Sequence, residues 1–272
     1  ILLVGDAAQL QSYLGTTRPQ GMTNHITDLY YADHTGDHLP DAMIGRWPVN
    51  DTAELRAVMT KTLHYEQCDN LDNSILERAL LVAGTESNAP APVTTNGQVN
   101  YLKGRLAEEY PTVDTICHHN PSSANERPAI LAEIAQGVGF INYTAHCSTG
   151  GWSNPPVGFI TIDTLGCTQP TVFVNNCCQS NDFGATCFGE RLLRKPLGGA
   201  IGVIGATNST LWEEDYYWAV GPKYPFSLEP TYDSLHRGAF DLWLDGDATT
   251  MGALLIAGNM SVLAFGSPYE KF

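Results

Sequence analysis

Basic residues are scarce in this chain: 14 Lys and Arg stand against 29 Asp and Glu, which gives a formal net charge of −15 at pH 7. Such an excess of acid argues against nucleic acids and anionic membrane surfaces as partners. Long apolar runs are lacking too, and none reaches the roughly 18 to 20 residues that a membrane span requires. The composition fits a secreted protein or one that attracts cationic substrates.

A signal peptide is also missing. Residues 1–4 already form an apolar run typical of a strand, and another apolar run comes shortly before the last residue. We therefore expect the sequence to be a fragment or processed form that is truncated at its start. Its 272 residues, 43 % of them hydrophobic, suffice for one substantial core or two smaller subdomains.

An even set of cysteines at loop spacings, which a disulfide scaffold would need, is absent as well. The chain has seven, so at least one thiol stays free. Most of them fit the role of small buried hydrophobic residues, with one or two bridges. The adjacent Cys177 and Cys178 can bridge to each other only with strain, and the pairing stays open at this point.

Apolar, β-branched runs are what the sequence does have, and several predict buried strands. Residues 139–146 (GFINYTAH), 171–178 (TVFVNNCC) and 200–207 (AIGVIGAT) are the clearest. Helical stretches at 102–109 and 130–136 alternate with such runs, which predicts an α/β fold. We place an N-terminal α/β subdomain at residues 1–80 and a second at 81–272, and we interpret the Pro/Asn/Thr-rich residues 87–98 as a surface loop.

Two of these runs end in groups that make a nucleophile and its base. His146 ends one run and Cys178 the other, and the carboxyl ends of neighbouring parallel strands face the same crevice. The 32 residues between them fit one crossover connection with a loop and a short helix. One alternative is a zinc site made of His146, Cys147, Cys177 and Cys178, although adjacent residues in an extended chain point in opposite directions. The other alternative is a purely structural role for both runs.

The third run leads into the acidic and aromatic stretch WEEDYYW, residues 212–218. A carboxylate at the floor of an aromatic-walled pocket would recognise a lysine or arginine side chain by charge pairing and by packing of its stem. Alternatively, these acidic residues begin a solvated helix, since Asp and Glu favour the first helical turn.

Taken together, the strings NYTAH, NNCC, CFGE and WEEDYYWAVG, in this order and spacing, resemble the gingipains, cysteine endopeptidases of the caspase-like clan. The lysine-specific members are the most similar. The N-terminal strings LLVGD and DLYYADHTGDHLPDAMIGR agree, and the resemblance covers nearly the whole chain apart from residues 87–130. It implies a caspase-like fold, a mainly parallel sheet flanked by helices in two α/β subdomains, with the second subdomain catalytic.

The resemblance also implies roles for individual residues. Cys178 resembles the nucleophile, His146 the general base and acid, and Glu86 the carboxylate that orients the histidine. Asp215 resembles the acid that pairs with the substrate lysine, in a pocket lined by Thr144, Asn176 and Trp212. The backbone N–H groups of Cys178 and of Cys147 would form the oxyanion hole.

Two further expectations come from the same resemblance. Gingipains bind calcium, Glu190 resembles a calcium-holding position, and the acidic loop with Asp33, Asp37 and Asp41 offers oxygen ligands around a glycine turn. We predict structural calcium and no organic cofactor; solvation of the loop is the alternative. We also expect a location outside the cell or on a bacterial surface, and adhesion or immunoglobulin-like domains beyond this stretch are compatible with the resemblance.

One departure bears on activity. Gingipains have glycine after the catalytic histidine, where this chain has Cys147. If a positive φ is needed there, cysteine would cost about 1 kcal/mol or more, and its thiol could bridge to Cys177 or Cys178. The sequence therefore predicts a lysine-specific cysteine endopeptidase. The alternatives are arginine specificity, a weakened family member that binds peptides or partners, and transpeptidation.

Overall fold

The computed structural model describes residues 1–15, 25–68, 72–122 and 124–266. A five-stranded, fully parallel sheet forms its centre, with the strand order β12-β11-β7-β5-β6. The strands are β5 (Arg78–Ala83), β6 (Asp114–His119), β7 (Phe140–Thr144), β11 (Thr171–Asn176) and β12 (Ala200–Gly205). The predicted α/β class with a mainly parallel sheet is confirmed.

Helices cover both faces of this sheet, and β5 shows why. Ala79, Leu81 and Ala83 point into one apolar cluster, while Leu80 and Val82 point into another. Such continuous burial is typical of parallel strands that are covered on both sides. The helices are α1 (Thr52–Glu66), α2 (Ala91–Glu109), α3 (Glu126–Gln136), α4 (Phe159–Thr164), α5 (Phe188–Arg194), α6 (Trp212–Val220), α7 (Ala239–Leu244) and α8 (Met251–Ala264).

Short strands complete the fold outside the central sheet. β1 (Leu2–Val4) pairs in parallel with β4 (Gly45–Trp47), and β2 (Tyr13–Leu14) pairs with β3 (Ile26–Thr27). A three-stranded antiparallel sheet follows β7 directly and consists of β8 (Cys147–Ser148), β9 (Gly151–Ser153) and β10 (Pro156–Gly158). The crossover from β7 to β11 therefore contains this small sheet as well as the predicted short helix, α4.

The prediction of a surface loop at residues 87–98 is wrong. Helix α2 begins at Ala91, and Thr94, Thr95 and Gln98 in its first turns are buried. Pro90 and Pro92 stand at the helix start, where a missing N–H costs nothing. The Thr95 hydroxyl donates to the Ala91 carbonyl at 2.8 Å, which satisfies the polar group inside the helix.

The proposed division of the chain at residue 80 stays a prediction. Residue 80 itself lies inside β5. Within the described parts of the chain, no helix combines the length and the apolar character needed to cross a membrane.

A buried lysine joins α1 to the segment between α5 and β12. Lys61 is 7 % exposed, and its ammonium donates to the carbonyl oxygens of Leu193, Lys195 and Gly198 at 2.8, 2.9 and 3.2 Å. These bonds satisfy carbonyls at and beyond the carboxyl end of α5, which no intrahelical donor reaches. Because α5 follows the segment that contains Cys178, these bonds anchor the helix to which that segment is joined.

We expect Lys61→Met to lower the free energy of unfolding by about 2–3 kcal/mol. The substitution removes the donor of three hydrogen bonds and leaves the accepting carbonyl groups beside an apolar side chain. Chemical denaturation of the two proteins measures the loss. Lys103→Met, which removes an exposed lysine from α2, is the matched control and should change stability by less than about 0.5 kcal/mol. An equal loss in both variants would contradict the role given to Lys61.

Candidate active site

The strand register brings the predicted nucleophile and base to the same end of the sheet. In the pairing of β7 with β11, Thr144 stands opposite Asn176, the last residue of each strand. His146 and Cys178 each follow two residues later, so both lie at equivalent positions just beyond the carboxyl ends. This placement is the one expected for a binding crevice in an open parallel sheet.

Glu86 reaches this crevice from the neighbouring strand. β5 ends at Ala83, which pairs with Thr144, and the Gly84 N–H donates to the Thr144 carbonyl at 3.0 Å. A side chain at position 84 would collide with the Asn154 carbonyl oxygen, so the chain passes here only as glycine. Two residues later, Glu86 Oε2 lies 2.9 Å from His146 Nε2.

The Glu86 carboxylate is fixed by the backbone as well. Its Oε1 accepts hydrogen bonds from the N–H groups of Ser87 and Asn88 at 2.8 and 3.2 Å. The bond from Ser87 is the main cause that holds the pKa of Glu86 below its usual 4.5, with further lowering from Asn88 and from His146. Glu86 is therefore ionised at neutral pH and holds the imidazole by Nε2, which leaves Nδ1 for other contacts.

Cys178 Sγ contacts Thr210 rather than His146 among the hydrogen bonds of the described residues. The Thr210 N–H points at Sγ at 3.4 Å, and the Thr210 carbonyl oxygen lies 3.7 Å from it. The thiol and the imidazole thus share no hydrogen bond among the described residues, and long or missing hydrogen bonds are common between such pairs before substrate binds. Trp212 packs its ring edge-on against His146, with centroids 4.8 Å apart.

The two backbone N–H groups predicted for the oxyanion hole, those of Cys147 and Cys178, have no backbone acceptor among the described residues. The Ser153 N–H donates to the His146 carbonyl, so the next pair of the hairpin, Cys147 with Trp152, is the non-hydrogen-bonded one. The Cys147 N–H therefore points away from β9. The Cys178 N–H lies beyond the end of β11 and makes no backbone hydrogen bond among the described residues.

Cys147 does not carry the backbone strain of a positive φ. Its φ is not among the positive values of the described residues. Its sulfur is bonded to Cys177, with the two Cα atoms 5.6 Å apart. Of the pairings that the sequence left open, the structure has the one that leaves Cys178 as a thiol. The bridge also consumes two of the four ligands of the alternative zinc site, which is thereby excluded.

Asp215 lies in the first turn of α6, behind the thiol. It is 4 % exposed, and its Oδ2 accepts a hydrogen bond from the Thr210 hydroxyl at 2.7 Å. The Asn176 amide donates to the Asp215 carbonyl at 2.8 Å. Asn176, Thr210 and Asp215 line part of a cavity of about 740 Å³ that extends along β12 towards α8.

Thr144, the remaining predicted pocket residue, is fully buried at the end of β7, and its hydroxyl has no hydrogen-bond partner.

Sequence reasoning missed two residues of this site. Thr210 touches both Cys178 and Asp215, yet it stands in a loop, and only its position two residues before Trp212 hinted at a role. Gln98 is buried in α2, and its carbonyl oxygen accepts from the Asn176 amide at 2.9 Å. Gln98 was assigned to a loop, so no signal in the sequence pointed to it.

The carboxylates predicted for calcium are not brought together. Oxygens of Asp33, Asp37 and Asp41 accept hydrogen bonds from backbone N–H groups of their own loop, at 2.7 to 3.1 Å. Glu190 instead caps α5, where it accepts from the Cys187 N–H and from Arg194 at 2.9 and 3.1 Å. In the described parts of the chain no three His, Cys, Asp or Glu side chains are arranged to hold a metal ion. Calcium stays a prediction.

The disulfide and the burial of the other cysteines predict which thiols react. Iodoacetamide at neutral pH should label Cys178 and the exposed Cys68. The buried Cys167 and Cys187 should resist, because burial raises the pKa of both thiols, that of Cys187 to about 12. Peptide mapping without reduction should recover Cys147 joined to Cys177. A bridge to Cys178 would contradict this pairing.

Comparison with known proteins agrees with the geometry. The chain is 30 % identical over 267 residues to Lys-gingipain HG66 of Porphyromonas gingivalis, which covers 96 % of this chain and 15 % of that protein. It is 26 % identical over 252 residues to Gingipain R2 of the same species, which covers 85 % of this chain and 32 % of that protein. The chain thus spans about one seventh of the length of its Lys-gingipain relatives.

Solved structures agree as well. One titled "Structure of Protease" superposes with a TM-score of 0.87 at 28 % identity, over 97 % of this chain and 57 % of that one. The Arg specific cysteine proteinase gingipain R has the same fold, with a TM-score of 0.76 at 19 % identity, over 98 % of this chain and 59 % of that one. The model of peptidase family C25 matches residues 1–270. The chain therefore belongs to peptidase family C25.

Proposed function

We propose that this chain carries the catalytic site of a cysteine endopeptidase that cleaves peptide bonds after lysine. The observation that carries the proposal is the joint placement of Cys178 and His146 by the register of β7 and β11, with Glu86 bound to His146 at 2.9 Å. A thiol, an imidazole and an orienting carboxylate at one strand end are the parts that acyl transfer by cysteine requires. Membership of a peptidase family supports the same reaction.

In the proposed mechanism, His146 takes the proton of the Cys178 thiol, and Sγ attacks the carbonyl carbon of the scissile peptide bond. The negative charge that develops on the carbonyl oxygen is accepted by the N–H groups of Cys147 and Cys178. His146 donates a proton to the leaving amine, and a thioester between the substrate and Cys178 remains. His146 then takes a proton from a water molecule, which hydrolyses the thioester and restores the thiol.

Glu86 keeps the imidazole in the orientation for both steps. Since Glu86 holds Nε2, the proton transfers fall to Nδ1, the nitrogen that this contact leaves. The Trp212 ring against His146 adds a second constraint on the imidazole plane.

Lysine is the side chain that the acidic pocket favours. Asp215 lies almost fully buried behind the thiol, where a substrate cation would be paired in a region of low dielectric. The Thr210 hydroxyl already donates to Asp215 Oδ2. A lysine ammonium is a compact charge, whereas a guanidinium is a wide planar group that needs more room beside the buried carboxylate.

A location outside the cytoplasm suits the same chain. The Cys147–Cys177 disulfide needs an oxidising compartment to form and persist. We propose secretion, or attachment to a bacterial surface, with proteins and peptides as substrates. The net charge of −15 attracts cationic segments of such substrates and fits cleavage beside lysine.

Substrate turnover tests this proposal directly. Among matched fluorogenic peptides with Lys, Arg or Ala before the scissile bond, we expect the lysine peptide to have the highest kcat/KM. Cys178→Ala should abolish turnover. Asp215→Asn, which keeps the size of the side chain and removes its charge, should lower kcat/KM for the lysine peptide by about 10²-fold or more, with little effect on the alanine peptide.

A higher kcat/KM for the arginine peptide would be compatible with peptidase activity but would overturn the proposed lysine preference. An added amine nucleophile that captures most of the acyl group would replace hydrolysis by transpeptidation. No turnover by folded protein would favour peptide binding without catalysis.

Removal of the Glu86 charge should slow the reaction without weakening substrate binding. We expect Glu86→Gln to lower kcat roughly 10- to 100-fold at unchanged KM, because the imidazole loses its orienting charge. The pKa of Glu86 lies below 4.5, so the carboxylate is ionised at pH 6 and at pH 8 alike. The deficit should therefore be present at both values and shrink only as the pH falls through the lowered pKa of Glu86, where the wild type loses the same charge.

Steady-state kinetics at the two pH values measure this deficit. Glu66→Gln, an exposed glutamate of α1, is the matched control and should behave as the wild type. An unchanged kcat of Glu86→Gln at both pH values would contradict the assignment.

A further inference from the structure

We propose that the Cys147–Cys177 disulfide is a positioning element of the oxyanion hole, so that the working enzyme needs a disulfide at this pair and a free thiol at Cys178 at the same time. This inference rests on the proposed peptidase function and adds a requirement to it. The disulfide joins the residue that carries one oxyanion N–H to the residue directly before the other. Both donors are therefore fixed through one covalent link.

The disulfide lies beyond the point at which the hydrogen bonds of the central sheet end. The hydrogen-bonded ladder between β7 and β11 ends at Thr144 and Asn176. Beyond these residues, the backbone hydrogen bonds of the two loops go elsewhere: His146 accepts from Ser153, and Gln179 donates to Asn208. Among the described residues, no backbone hydrogen bond connects 145–148 with 177–180. The disulfide is the covalent tie between the His146 loop and the Cys178 loop.

The surroundings give this tie a fixed place. Cys177 is fully buried, Cys147 is 9 % exposed, and both belong to the apolar cluster that contains Tyr143, Trp152 and Phe188. The Cys147 sulfur also lies 2.8 Å from the Cys178 carbonyl oxygen, so it touches the peptide unit next to the nucleophile. A bond held this way restricts the separation of the two loops and hence of their N–H groups.

The chemical consequence is specific to the step that develops charge on oxygen. Removal or misplacement of one oxyanion donor lowers kcat and leaves ground-state binding largely intact, since the donors act on the oxyanion. Alkylation of Cys178 by iodoacetamide makes no oxyanion and depends on the thiol and its local environment alone. The two reactions together separate a positioning role from a general effect on the fold.

Cys147→Ser/Cys177→Ser tests the inference, because it keeps the size of both side chains and removes the bond. We expect kcat for the lysine peptide to fall about tenfold or more, at unchanged KM and with an unchanged rate of Cys178 alkylation by iodoacetamide. Cys68→Ser, which removes an exposed thiol far from the pair in sequence, is the matched control and should retain full activity.

The wild-type protein provides a second test that does not depend on a variant folding well. A dithiol such as dithiothreitol supplies two electrons and two protons, splits the disulfide into two thiols and closes into its own cyclic disulfide. With the state of the pair followed by mass spectrometry, kcat should fall as the 147–177 bond is lost. The serine double variant, which has no such bond, should show no further loss on the same treatment.

Several outcomes would overturn the inference. If the double variant melts at a lower temperature but keeps its kcat, the disulfide is purely structural. If the alkylation rate falls together with kcat, the bond supports the whole loop rather than the oxyanion donors. A gain of activity on reduction would make the disulfide inhibitory. A wild type that turns over no peptide would instead overturn the proposed function, and the positioning role with it.

Discussion

The parallel register of three neighbouring strands is the constraint on which the site depends. Ala83, Thr144 and Asn176 stand side by side at the ends of β5, β7 and β11. Glu86, His146 and Cys178 follow them by three, two and two residues. A shift by one residue in either pairing would turn alternate side chains to the opposite face and bury apolar residues against the wrong layer. The packing of the core therefore determines where the three proposed catalytic residues lie.

Beyond the strand ends, the site is built from contacts that bridge loops. The Tyr143 ring stacks on Trp152, and its hydroxyl donates to the His146 carbonyl at 2.8 Å. The Trp152 indole N–H donates to the Asn175 side chain at 2.9 Å, which ties the small antiparallel sheet to β11. These buried hydrogen bonds are directional, so they hold the loop more precisely than apolar packing alone would. Aromatic residues thus supply both area and orientation at this edge.

The central strands and the candidate residues at their ends could be predicted from the sequence. Buried parallel strands are continuous apolar runs, and the polar residues that follow each run stand out in the sequence. Helix α2 could not be predicted, because its buried first turns carry threonines and a glutamine, and such polar residues next to prolines are typical of loops. Inside the fold, the Thr95 hydroxyl donates to the Ala91 carbonyl. Thr210 and Gln98 were missed for a related reason: each acts through a partner, Asp215 or Asn176, whose position only the fold reveals. The choice of Cys177 as the partner of Cys147 likewise depends on a distance between loops.

The cysteine pairing also decides which sulfur is left to react. Three cysteines stand within two adjacent loops, and any bridge that included Cys178 would remove the proposed nucleophile. Because Cys147 is bonded to Cys177, no neighbouring thiol of these loops remains with which Cys178 could form an intramolecular disulfide. An oxidising compartment favours disulfides among neighbouring thiols, and three free thiols here could have included Cys178 in a bridge. The same compartment stabilises the Cys147–Cys177 bond, which leaves Cys178 as a thiol. Cys147 and Cys177 therefore act as one unit, whose bond leaves Cys178 as the free thiol of these two loops.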